Sequence, residues 1–110
     1  MKADIIARRL QELFPKIQGI KAITADNGGQ YIHLGDAAEG GMIIDAVSQK
    51  MAADPEYRGL GFDKGTPAAD YYGEFRGGYP WIHPDLEKAV KNYGYFIEWY
   101  DPGTLRAYPI

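Results

Sequence analysis

The sequence predicts an α+β fold, a two-layer sandwich in which an antiparallel sheet of about four strands carries two or three helices on one face. Two observations predict it. An amphipathic helical stretch followed by two strand-like stretches occurs twice, at residues 4–34 and 84–110. Each pair of strands is also interrupted by turn-forming residues, Asn27-Gly28-Gly29 and Asp101-Pro102-Gly103. The two halves share no residue-by-residue identity, so the repeat is architectural. With 110 residues, 45% of them hydrophobic and 25% charged, the chain suits one domain, residues 1–110, able to bury a core without covalent staples.

Taken in order, residues 4–14 read as a helix whose apolar face is Ile6, Leu10 and Leu13, with Ile17 in register beyond them. Pro15 disfavours helical geometry at Phe14 and ends it. Residues 19–26 and 30–34 form a hairpin around the Asn-Gly-Gly turn. Residues 35–41 are a loop by composition. Residues 42–53 read as a second helix facing inward with Ile44, Val47 and Met51, although Met42-Ile43-Ile44 also fits a short strand; Pro55 closes the segment. Residues 54–80, with six glycines and three prolines, show no regular pattern, and a loop of this length tends to be functional or mobile. A short helix is expected within it, around residues 67–72.

The segment after it has the clearest helix signals. Pro84 takes the first helical position, Asp85 and Glu87 lie near the positive end of the helix dipole, and Gly94 supplies the stop. Leu86, Ala89, Val90 and Tyr93 make the buried stripe. Strands 95–100 and 104–108 follow. Alternation puts Ile97, Trp99, Leu105 and Ala107 on the buried face and Phe96, Glu98 and Tyr100 opposite. One bulged residue at the turn would bring Glu98 across from Arg106 as an opposite-charge pair.

Composition excludes several kinds of chemistry. Cysteine is absent, which removes disulfides, thiol nucleophiles and Cys-based zinc sites. Two histidines, His33 and His83, are too few for a histidine-built metal centre, and His83 reads as the cap of the Pro84 helix. Ser48 is the only serine and lacks a nucleophile context. The glycines of residues 59–65 have neither the preceding strand nor the spacing of a phosphate loop. No cofactor and no metal are expected. Asp63, Asp70 and Glu74 are the acids best placed for acid–base chemistry, and ordinary exposed loop acids explain them more simply. No apolar run suggests a leader or a membrane span, so the expectation is a soluble cytoplasmic protein of bacterial type.

The net charge of −3 is uneven: residues 1–21 carry +3, residues 22–49 carry −4, and the remainder −2. Nucleic-acid binding is disfavoured, because phosphate contacts need clustered positive charge. The strongest functional signal is aromatic. Eleven of fifteen aromatic residues fall between Tyr71 and Tyr108, more than a small core can close-pack. The densest stretch nominates Tyr72, Phe75, Arg76, Tyr79 and Trp81 as a binding surface, set among glycines that permit close backbone approach. The leading expectation is a non-enzymatic binding or interaction module that forms a homodimer. A small-molecule-binding protein or small enzyme with an aromatic-lined pocket is the alternative. An acidic inhibitor-type protein of a mobile element, using residues 22–49 to imitate nucleic-acid charge, ranks third.

Overall fold

A computed structural model describes residues 1–71 and 80–110. Its elements, in chain order, are α1 (Ala3–Leu13), β1 (Ile20–Thr24), β2 (Gln30–Leu34), β3 (Met42–Ile43), α2 (Ala46–Ala53), two single 3₁₀ turns (Pro55–Tyr57 and Phe62–Lys64), β4 (Thr66–Pro67), α3 (Pro84–Asn92), β5 (Tyr95–Asp101) and β6 (Thr104–Pro109). The α+β class and the order of the main elements are those the sequence predicts. The sheet is four-stranded and antiparallel, in the order β1-β2-β6-β5, and β3 and β4 form a separate ribbon. The two hairpins therefore join through β2 and β6, with Ile32 opposite Ala107 and His33 opposite Arg106.

The core lies between one sheet face and the helices α1 and α3. Ile20, Ile32, Leu34, Tyr95, Leu105 and Ala107 point into it from the sheet, and Ala3, Ile6, Ala7, Leu10, Leu86 and Val90 from the helices. Gly94, at φ +79°, turns the chain from α3 into β5 with no Cβ penalty. Gly35 is required for space as well as angle: at φ +58° its backbone passes so close to the Gln18 carbonyl that any side chain would collide. Gln11 ties the α1–β1 connection together. Its amide donates to the carbonyls of Phe14 and Ile17 and accepts from the Ile20 N–H.

Four expectations are corrected here. On α1 the buried residue is Phe14, while Leu13 is 57% exposed. The small residues Ala3 and Ala7 both lie in the contact, which centres the face on the 3-7-10-14 row and leaves Leu13 at its margin. The 42–53 segment splits: Met42-Ile43 takes the short-strand alternative and pairs as β3 with β4, and the helix starts only at its Asp45 cap. Its inward residue is Ser48; Ile44 and Val47 are exposed and Met51 is half-buried. Residues 66–69 are extended rather than helical, since they pair on two sides. The Ala68 N–H donates to Gly41, the His83 N–H donates to Ala68, and Ala69 bridges Ile82. Finally, Glu98 does stand across from Arg106, with the bulge at Tyr100, yet no salt bridge joins them.

Candidate functional site

Of the five nominated aromatic-loop residues, Tyr72, Phe75, Arg76 and Tyr79 lie outside the described residues, and Trp81 lies within them. Trp81 is half-buried at φ +61°, a left-handed conformation unusual for a bulky residue. The Tyr71 ring packs edge-on against Trp81 at 5.1 Å and against Trp99 at 5.2 Å. The Trp99 indole N–H donates to the Pro80 carbonyl at 2.7 Å. Trp99 belongs to the core side of β5, so this cluster closes one end of the core layer. Surface depressions among the described residues lie along α1 and its junction with β1, beside β3 and around the 3₁₀ turns.

His83 does cap α3, as the sequence suggests, but it does more. Its Nδ1 accepts the Asp85 N–H at 3.0 Å, which leaves the proton on Nε2, and that nitrogen donates to Asp45 Oδ2 at 2.9 Å. Asp45 is itself the N-cap of α2. It accepts the Ser48 N–H at 2.7 Å, and the Ser48 hydroxyl accepts the Asp45 N–H in return, a reciprocal capping box. The Thr66 hydroxyl donates to the same carboxylate at 2.9 Å. Burial would raise the Asp45 pKa, but these hydrogen bonds from Ser48, His83 and Thr66 outweigh it and hold the carboxyl well below the usual range. The trio of Ser, Asp and His resembles a nucleophilic site only in composition. Both ring nitrogens of His83 are engaged, Ser48 is fully buried, and its hydroxyl is satisfied by the Asp45 backbone. The arrangement is a polar knot that joins two helix N-termini to β4.

The face of the sheet opposite the core is where unused chemistry collects. Cross-strand register arranges it in rows. Lys21 stands opposite His33, His33 opposite Arg106, and Arg106 opposite Glu98, so one row crosses all four strands with three basic groups and an acid. The next row runs Ile23, Tyr31, Tyr108 and Phe96. Its ring centroids are 5.6 Å apart for Tyr31–Tyr108 and 5.9 Å for Phe96–Tyr108. The Arg106 guanidinium lies over two rings, 4.6 Å from the centroid of Tyr31 and 3.6 Å from that of Tyr100. The bulge at Tyr100 is what brings the second ring there, the kind of re-aiming that bulges produce.

This face is electrically unfinished. Among the described residues, the guanidinium has no carboxylate within ion-pair distance and its buried Nε has no hydrogen-bond partner. Burial first, then the charges of Lys21 and Arg106, hold the His33 pKa below the ordinary histidine value. Phe96 and Tyr100 are 40% and 60% exposed. α1 and α3 both pack on the other face. Sequence reasoning found the outward side of β5 and Arg106 across from Glu98, but not Tyr31, His33 and Tyr108. The signal was the alternation within 30–34 and 104–108. What was missing was the pairing of β2 with β6, which connects residues more than seventy positions apart.

Among the described residues no helix is long and apolar enough to cross a membrane, and no group of three or more His, Asp or Glu could hold a metal ion. No protein-family model, curated protein or solved structure matches this chain.

Proposed function

We propose that this chain is a non-enzymatic binding module that self-associates, and that the outer sheet face is its contact surface. The observation that carries the reading is the Ile23–Tyr31–Tyr108–Phe96 row beside a stacked arginine, on the sheet side that neither α1 nor α3 covers. Tyrosine and phenylalanine offer large contact area with few rotamers to freeze, and tyrosine and arginine are enriched in binding hot spots. An antiparallel sheet can leave one face to water, but that face is then normally polar. Here an entire row is apolar or aromatic. A homodimer is the simplest occupant, because symmetric pairs are the commonest soluble oligomers.

The test is light scattering across roughly 1–100 µM, the range in which a modest interface is half-occupied. Wild type should move from monomer to dimer, and Phe96→Ala should shift the midpoint upward by about tenfold or more while melting as wild type does. Phe96 is on an edge strand and supports no core packing, so its truncation separates binding from folding. A wild-type chain that stays monomeric throughout this range would count decisively against self-association.

A further inference from the structure

Resting on that reading, we infer that the outer sheet face meets a second copy of itself about a twofold axis that runs parallel to the strands between β2 and β6, with Lys21 of each copy set against Glu98 of the other. The inference comes from the order of residues along the two rows. A twofold axis in that position reverses each row left to right while keeping it at the same height. The row Lys21, His33, Arg106, Glu98 then faces its own mirror order. Lysine meets glutamate at both outer positions, and imidazole meets guanidinium at both inner ones. The second row is treated the same way: Ile23 meets Phe96, and Tyr31 meets Tyr108. Opposite charges thus meet at the outer positions of the first row, apolar or aromatic groups meet at every position of the second, and the inner positions of the first pair an imidazole with a guanidinium.

Other placements fail on the same residues. Moving the axis onto β6 sets Arg106 against Arg106. An axis across the strands at the charged row sets Lys21 against Lys21 and Glu98 against Glu98. An axis across the strands between the two rows buries Lys21 against Ile23 and Glu98 against Phe96, which leaves charges unpaired. Lys21 and Glu98 are both exposed, and neither is in an ion pair among the described residues, so both are available to a partner. A neutral imidazole can accept a hydrogen bond from a guanidinium. Packed sheets cross at about 30°, an offset that the long side chains at the outer positions can span. Four strands by about five residues give a contact roughly 15–20 Å on each side. Counting both copies, that footprint is roughly 450–800 Å², below the standard size of specific interfaces, so a weak, micromolar dimer rather than a permanent one is expected.

Charge exchange tests the arrangement. Lys21→Glu and Glu98→Lys, each measured alone by sedimentation equilibrium, should weaken the dimer by about tenfold or more, since each puts two like-charge pairs into the interface. Mixing the two single variants should restore association as a heterodimer, because both of its outer pairs then join opposite charges. The double variant should return to within about threefold of wild type. Unchanged melting of the single variants confirms that the effects are between chains. If wild type dimerises but mixing restores nothing, this axis is wrong and the self-association reading stands. If wild type does not dimerise, both fall.

Discussion

Removing the Asp45 carboxylate should be among the costliest single changes in this protein, although Asp45 lies outside the apolar core. Three interactions end on it: the cap to Ser48, the bond from His83 and the bond from Thr66. Loss of a helix cap costs about 1 kcal/mol. A hydrogen bond to a charged group contributes about 1.5–3 kcal/mol, and two are lost here. His83 and Asp45 have only 9% and 15% of their side-chain surface exposed, so water replaces these partners poorly. Taking the lower values, Asp45→Ala should destabilise by about 4 kcal/mol, against a total of 5–15 kcal/mol typical of such domains. In a scan the melting temperature should fall by roughly 15–25 °C. Chemical denaturation of Asp45→Ala, His83→Ala and the double variant isolates the pair. A coupling energy of at least about 1.5 kcal/mol is expected between residues in direct contact. Additivity within about 0.5 kcal/mol, or a single-variant melt within a few degrees of wild type, would refute the view that this knot holds α2, β4 and α3 together. The pH dependence has a definite sign. The folded carboxyl is held below its unfolded value of about 3.9, so the unfolded chain binds the proton more readily. The stabilisation is complete above that value and is lost as pH falls below it toward the folded pKa. Asp45→Asn should therefore show a shallower loss of stability on the acid side than wild type.

Three other outcomes are expected. Val90→Asp places a charge in the α3–sheet contact, where Val90 is 1% exposed, and should cost several kcal/mol, leaving the chain insoluble or unfolded; native-like melting would contradict the packing. Gln11→Ala removes three hydrogen bonds at the α1–β1 junction and should cost about 2–3 kcal/mol by urea denaturation, whereas Glu12→Ala beside it should be neutral within about 0.5 kcal/mol. Trp81→Ala should lower the melting temperature without changing the monomer–dimer midpoint if the Tyr71–Trp81–Trp99 cluster only closes the core. A shifted midpoint at unchanged stability would make Trp81 part of the contact surface instead.

The sequence by itself determined the local elements, because local signals are enough to specify them. The 3.6-residue stripe of Leu86 and Val90, the Pro84 start, the Gly94 stop and the two turns each act within a few residues. The same local logic gave the Glu98–Arg106 register, which depends only on the turn and its bulge. Reasoning of that range fails where a segment's structure is decided by a distant partner. Met42-Ile43 is a strand because Thr66-Pro67 lies beside it, and Ser48 faces inward because Asp45 is held by His83 and Thr66. The helix periodicity of Ile44, Val47 and Met51 could not reveal either fact. The candidate surface is the sharpest case. Aromatic surplus was legible in the composition, but Tyr31 and Tyr108 become neighbours only when β2 pairs with β6. The charged row likewise takes one residue from each of four strands. Alternation tells which side of its own strand a residue occupies, while strand order decides which residues share a row, and strand order is set by burial of the whole core rather than by any one segment.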